Sequence, residues 1–157
     1  MTTTPRRPAL AVALAVAGLI AFVYGAAYVD LVLRARSACL EGEKWLAWNE
    51  RPELKKAHFD AELEARRAAL ERERAAGLLT ADEYVKQVGL ATFERDQAVA
   101  ESSLKYAVAW FQSGAELFTP PENRWTERSR EKLREARGLW KRELEASKSP
   151  APDYMLE

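Results

Sequence analysis

The feature that most constrains this chain is an uncharged, apolar stretch close to its N-terminus. Residues 9–29 are 21 positions without Asp, Glu, Lys or Arg, and apolar character resumes after Asp30 as far as Leu33. As an α-helix, such a run is roughly 31 Å long, about the thickness of a bilayer's hydrocarbon core. We therefore predict a transmembrane helix over residues 9–33, after a short tail at residues 1–8.

A cleaved secretory leader is the competing interpretation. Gly25-Ala26-Ala27 offers the small residues that signal peptidase accepts, so cleavage after Ala27 would release a secreted protein. The apolar regions of signal peptides are about 7–15 residues long, however, and here the apolar run continues past Ala27 to Leu33. The pattern favours an uncleaved signal anchor.

Orientation follows from the charges that flank the apolar stretch. Arg6 and Arg7 precede it, whereas Arg34, Arg36 and Lys44 follow it. These numbers are close to a tie under the positive-inside rule, so both orientations stay open. The short leading tail favours an N-terminus inside and a domain on the extracytoplasmic side. The expected location is a bacterial inner membrane.

Small residues recur every fourth position within the apolar stretch. A spacing of four places them on one helix face, where a second membrane helix can approach closely. The face predicts packing against other membrane protein subunits or a second copy, in addition to contact with the lipid bilayer. Its members are Ala9, Ala13, Ala17, Ala21 and Gly25.

Composition disfavours several functional classes. Lys plus Arg and Asp plus Glu both number 24, so the chain lacks the positive field of a dedicated nucleic-acid binder. Cys39 and His58 are the only residues of their types, too few for the usual zinc sites or catalytic relays. Phosphate-binding and nucleophile motifs are also missing. We expect no catalytic residues, no metal site and no cofactor.

The remainder predicts an all-α fold in which the membrane helix continues into a small soluble domain, residues 34–147, followed by a flexible tail at 148–157. Gly77 is typical of a helix C-terminus, and Thr80 with Glu83 forms a capping-box pattern. The second and third helices are expected to form an antiparallel hairpin, followed by a fourth, C-terminal helix. The predicted helices cover residues 34–48, 53–76, 81–118 and 122–146.

Aromatic and charged residues suggest how these helices pack. Trp45, Trp48, Trp110 and Trp140 are the expected core or interface aromatics. Residues 81–118 carry three bases and six acids, and residues 122–148 carry nine bases and six acids, so the last two helices should attract one another. One face of the last helix is predicted to contact a partner or anionic lipid. It consists of Arg130, Arg134, Arg137 and Lys141.

These features lead to two hypotheses. The first is a noncatalytic, single-pass membrane protein that acts as an accessory or scaffolding subunit of a larger membrane protein assembly. The alternative is a secreted helical chaperone or adaptor, released by cleavage after Ala27.

Overall fold

The computed structural model describes residues 6–147, with side chains from Leu10 onward, and is all-helical. Helices account for 89% of these residues, and none of them is in a strand. This confirms the all-α prediction. The tail predicted at 148–157 lies outside the described residues. The elements are α1 (Arg6–Glu50), α2 (Pro52–Ala75), α3 (Ala81–Ala100), α4 (Ser103–Gln112), a π-helical turn (Ser113–Leu117) and α5 (Arg124–Ala146).

Helix α1 joins the apolar segment to the folded domain without a break. Its 45 residues extend over roughly 67 Å. Every described residue from Leu10 to Asp30 is exposed, whereas Leu31 and Val32 are half-buried. From Ala35 onward, one side of the helix is buried in the core. The chain thus contains one N-terminal helix that is long and apolar enough to cross a membrane.

The C-terminal third of α1 packs with α4, the π-helical turn and α5 in a small bundle. Trp45 of α1 stacks on Tyr106 of α4 with ring centroids 4.5 Å apart. Gly42, which is closer to the apolar segment, lies against Phe111, which is later in α4. The order of these contacts means that α4 runs back toward the apolar segment. The core residues are Cys39, Leu46, Leu104, Ala107, Val108, Phe111, Ala115, Leu133, Ala136 and Trp140.

Helix α5 runs in the opposite direction to α4, away from the apolar segment. At its start, the Arg36 guanidinium lies 5.7 Å from the ring centroid of Trp125. Near its end, Ser102 Oγ donates a hydrogen bond to a carboxylate oxygen of Glu143 at 2.6 Å. The bundle therefore has one end beside the apolar segment and another beside the break between α3 and α4.

Helices α2 and α3 form an arm attached to the bundle, which we call the α2–α3 arm. Arg95 Nε donates a hydrogen bond to Asp60 Oδ1 at 2.7 Å, and the Arg74 guanidinium lies 4.7 Å from the Tyr84 ring centroid. The end of α2 therefore lies beside the start of α3, and the two helices run in opposite directions. The predicted capping box of Thr80 and Glu83 is present, and Gly77 adopts a φ of 73°, which favours glycine.

The interval predicted as one helix over 81–118 is divided. Glu101 leaves helical geometry with a ψ of 149°, and the Ser102 side chain caps α4 by accepting a hydrogen bond from the Lys105 N–H. The break separates α3, which contacts α2, from α4, which lies in the bundle. Within the interval predicted as one helix, α4 and the π-helical turn pack against α5. Helix α3, which carries four of the six acids of that interval, makes no packing contact with α5 among the described residues.

The last helix begins at Arg124 rather than at the predicted residue 122. Asn123 is its N-cap, because its side chain accepts hydrogen bonds from the N–H groups of Trp125 and Thr126. Thr126 completes the reciprocal cap by accepting from the Asn123 N–H. Asn123 has an extended backbone, with a ψ of 168°, so the helix does not include Glu122.

Candidate functional site

The outward face of α3 is the most exposed apolar surface outside the apolar segment of α1 and the chain's loops. Helix α3 has no buried residue, and α2 is the only element in the described chain that packs against it. Val85 is 67% exposed, and Leu90 and Phe93 are each 58% exposed. Large apolar side chains at this exposure mark a face suited to contact with another molecule.

The spacing of this face suits a helical partner. Val85, Gly89 and Phe93 follow one another at intervals of four, so they lie on one side of α3. A Cβ placed on Gly89 would meet no atom within 4 Å, so the two larger side chains are separated by an open gap. A side chain of a second helix fits between Val85 and Phe93. We call these three residues with Leu90 the α3 outer face.

Carboxylates border the α3 outer face. Asp82 precedes Val85 by three positions, and Asp96 follows Phe93 by three, which places each beside the apolar residues. Both carboxylates are exposed. Asp96 also lies 2.5 Å from the Arg95 guanidinium. Exposed Lys86 precedes Leu90 by four positions and lies on the same face, so the charged residues around the apolar side chains are of both signs.

A cluster of aromatic side chains attaches the α2–α3 arm to the bundle. Trp45 and Trp48 of α1 meet edge to face with centroids 4.7 Å apart, and Trp48 lies 4.9 Å from the His58 ring and 5.8 Å from the Phe59 ring of α2. Such pairs contribute roughly 0.5–1.5 kcal/mol each beyond area burial. The cluster lines an open groove of about 520 Å³ whose outer wall is Trp110.

The predicted aromatics thus separate into different environments. Trp48 and Trp140 are buried, Trp45 is half-buried, and Trp110 is 38% exposed. The structure brings Trp45, Trp48 and Trp110 to one groove, whereas Trp140 packs in the core. Sequence spacing alone did not separate these roles.

Lys55 reinforces the junction between arm and bundle. Its side chain is only 4% exposed, and its Nζ donates a hydrogen bond to the Glu101 carbonyl oxygen at 2.5 Å. The ammonium also lies 5.6 Å from the Trp45 ring centroid, a cation–π arrangement. Burial lowers the pKa of Lys55, and the charges of Glu101 and Glu143 oppose that shift. The burial of this lysine was not predicted from the sequence.

The predicted basic face of α5 is not uniform. Arg130 binds both carboxylate oxygens of Glu122 at 2.8 and 2.6 Å, which lowers the pKa of Glu122. Arg137 is half-buried, whereas Arg134 and Lys141 are exposed. The four positions extend over roughly 17 Å along α5 and lead away from the apolar segment. Arg130 is the member closest to that segment.

The predicted small-residue face of the membrane helix meets no other element in the described chain. Ala13, Ala17, Ala21 and Gly25 are exposed, and the side chain of Ala9 lies outside the described residues. A Cβ placed on Gly25 would meet nothing within 4 Å. This face is accessible to a second helix in the bilayer.

The two residues with potential for metal or redox chemistry lie apart. Cys39 is fully buried in the bundle core, where burial raises the pKa of its thiol. His58 is partly exposed on α2, with Nε2 3.3 Å from a Glu62 carboxylate oxygen. Within the described part of the chain, no three His, Cys, Asp or Glu side chains are grouped closely enough to bind a metal ion.

Comparison with known proteins adds no assignment. No protein-family model, curated protein or solved structure matches this chain.

Proposed function

We propose that this chain is a noncatalytic, single-pass membrane protein whose helical domain is an accessory or scaffolding subunit of a larger membrane protein assembly. In this proposal α1 anchors the chain in the bilayer, and the α3 outer face binds a helix of another subunit. The observation that carries the proposal is the exposure of Val85, Leu90 and Phe93 on a helix that packs against α2 alone among the described elements.

The energetics favour occupation of this face. Full burial of one Val, Leu or Phe side chain is worth about 1.5–3 kcal/mol. Association also has entropic costs, so three such residues support specific binding when the partner is held nearby. A shared membrane supplies that proximity, because anchoring raises the effective concentration of two subunits.

The anchor is supported by the continuity of α1. The helix extends without interruption through Ala27, where the secretory alternative requires cleavage, and on into the core of the bundle. The exposed small-residue face gives the anchor a second surface for a neighbouring membrane helix. An extracytoplasmic domain and a bacterial inner membrane remain predictions from the sequence.

Photo-crosslinking in native membranes tests the partner surface. A photoreactive phenylalanine analogue at position 93 is expected to form an adduct with an integral membrane protein, identified by mass spectrometry. The same analogue at Ala65, an exposed position of α2, is the matched control and should give little adduct.

A paired substitution links the adduct to the assembly. Val85→Asp with Phe93→Asp should abolish comigration with that protein in mild detergent while leaving helix content unchanged. Equal adducts at positions 93 and 65, or undiminished comigration of the double variant, would refute the proposed contact. Intact mass of the membrane-extracted chain distinguishes the secretory alternative, which requires a new N-terminus at Tyr28.

A further inference from the structure

A second exposed apolar surface lies at the end of the bundle beside the apolar segment of α1. It is formed by the connection between the π-helical turn and α5 together with Leu117 before it and the first two residues of α5. We call this segment, residues 117–125, the membrane-proximal loop. Leu117 is 71% exposed, although it belongs to an element otherwise packed on the bundle. Pro120 is also exposed, and Phe118, Pro121 and Trp125 are half-buried.

A contact with α1 gives the position of this loop along the α1 axis. The Arg36 guanidinium lies 5.7 Å from the Trp125 ring centroid. Arg36 follows Leu33, the end of the apolar segment, by three positions, or about 4.5 Å along the helix axis. Hydrocarbon core and headgroup thicknesses imply a headgroup layer of roughly 5–8 Å on each side. Trp125 therefore lies within that layer if the apolar segment spans the bilayer.

The burial pattern of α1 places the end of the bundle at the same position along the α1 axis. Leu31 and Val32 are half-buried, whereas all described residues before them are exposed. The bundle thus begins to cover α1 at the last turn of the apolar segment. If the apolar segment spans the bilayer, an exposed apolar side chain at this end, such as Leu117, lies near the boundary between hydrocarbon and headgroups.

The loop and the adjacent turn of α1 also carry side chains that suit this boundary. Arg124 and Arg36 lie 4.6 and 5.7 Å from the same Trp125 ring, and both are exposed. Neither has a carboxylate partner within residues 10–147, whereas Arg34 pairs with Asp30. Trp is favoured at membrane interfaces, and basic residues there attract anionic headgroups.

The one carboxylate of the loop is neutralised within the protein. Glu122 accepts two hydrogen bonds from the Arg130 guanidinium, which lowers the pKa of Glu122. Its charge therefore repels lipid phosphates less than an unpaired carboxylate would. Two unpaired guanidinium groups and a compensated carboxylate leave the loop positive.

We infer that the membrane-proximal loop rests in the phospholipid headgroup layer of the bilayer that α1 spans, with Leu117 directed toward the acyl chains and Arg36 and Arg124 beside phosphates. The inference depends on the proposed membrane span and deepens it, because α1 alone would leave the domain free to tilt. Two contacts, the helix and the loop, fix the base of the α2–α3 arm at Pro52, roughly 28 Å beyond Leu33.

Spin labels on the full chain in nanodiscs of zwitterionic and anionic phospholipid test this arrangement. Single labels are placed at Leu117→Cys, at Leu78→Cys on the arm, and at Leu19→Cys within the apolar segment, all in a Cys39→Ala background. Each native side chain is highly exposed, so the labels do not disturb packing. Collision rates with oxygen, which partitions into lipid, are compared with those of a water-soluble nickel chelate.

The inference predicts that the label at 117 collides more with oxygen than with the chelate, as the label at 19 does, while the label at 78 shows the reverse. A label at 117 that matches position 78, with position 19 in lipid, overturns the loop contact and leaves the anchor intact. A label at 19 in water overturns the anchor itself. The proposed partner contact is measured separately by the position-93 adduct.

The arginines have their own test. Arg36→Gln with Arg124→Gln should move the label at 117 toward water in anionic nanodiscs, with a smaller shift in nanodiscs of zwitterionic lipid alone. An unchanged label depth in both lipids would contradict the role assigned to the two guanidinium groups.

Discussion

Gly42 of α1 and Phe111 of α4 are in direct contact, because a Cβ placed on Gly42 would lie 2.6 Å from Cε1 of the Phe111 ring. Phe111 is fully buried, so its ring has little room to move away. The absence of a side chain at position 42 allows α4 to approach the helix that continues from the apolar segment. This approach couples the apolar segment to the domain.

Gly42→Ala is therefore expected to destabilise the bundle. Insertion of a methyl group against a buried ring costs about 1–3 kcal/mol through displaced side chains and backbone. The matched control is Gly138→Ala on α5, where an added Cβ meets nothing within 4 Å and helix propensity should increase stability by roughly 0.5–1 kcal/mol. Thermal unfolding in mild detergent, followed by circular dichroism, measures both. Equal effects of the two substitutions would contradict the close contact.

Lys55→Met should weaken the junction between arm and bundle. Methionine preserves much of the apolar stem but leaves the Glu101 carbonyl without its donor, a loss of about 1–3 kcal/mol. Lys56→Met is the control, because Lys56 forms an exposed pair with Asp60 that is worth less than about 1 kcal/mol. Urea unfolding in detergent compares the two variants. A larger loss for Lys56→Met would contradict the role given to Lys55.

The lowered pKa of Lys55 predicts that the stability of the folded chain depends on pH. Because burial lowers the pKa of Lys55 below its ordinary 10.5, the folded chain releases this proton at a lower pH than the unfolded chain. Between the pKa of the folded state and 10.5, the unfolded state binds more protons than the folded state. The free energy of unfolding of the wild type therefore rises with pH across that window, relative to that of Lys55→Met. Below the folded pKa the difference is constant. A difference that shrinks as pH rises through the window would show that the pKa is not lowered.

Acid should weaken the α2–α3 arm through Asp60. Hydrogen bonds from Lys56 and then from Arg95 lower the pKa of Asp60 below its ordinary value of 3.8. The stabilisation is fully present above pH 3.8 and is lost as pH falls through the lower folded pKa. The melting temperature of wild type should exceed that of Asp60→Asn at neutral pH, and the gap should narrow below pH 3.8. A constant gap from pH 6 to pH 3 would contradict this assignment.

Cys39 should be chemically inert while the domain is folded. The thiol is fully buried and its pKa is raised by burial, both of which disfavour the reactive thiolate. A thiol reagent at pH 8 should modify Cys39 only after unfolding, whereas Leu78→Cys should react at once because Leu78 is 75% exposed. Mass spectrometry counts the modified thiols. Rapid modification of Cys39 in the folded wild type would place it outside the core.

Some features of the fold could be predicted because their causes are local. The membrane-length segment depends on an unbroken apolar run, the end of α2 on a left-handed conformation at Gly77, and the start of α3 on the reciprocal cap between Thr80 and Glu83. Each of these features depends only on neighbouring residues, so each can be predicted from the sequence. The last helix starts two residues after the predicted position, because Asn123 is its N-cap.

The break at Ser102 and the environments of the tryptophans depend on distant residues. Ser102 is a weak local signal, and its hydroxyl contacts Glu143, 41 positions away. Trp110 lies in an apolar run with Val108 and Phe111, and Trp140 is followed by Lys141 and Arg142, yet Trp140 is buried while Trp110 borders an open groove. Burial is decided by which helices meet, and helical periodicity does not specify the partner of each face.

The sequence by itself therefore determined the helical class, an apolar segment of membrane length and the caps at α2 and α3, because backbone hydrogen bonding and runs of apolar residues depend on neighbouring positions. Tertiary structure alone decided that α3 leaves the bundle with its outer face exposed and that the membrane-proximal loop returns to the end of the apolar segment. Those arrangements arise from packing between residues far apart in the chain, such as Gly42 with Phe111 and Arg36 with Trp125.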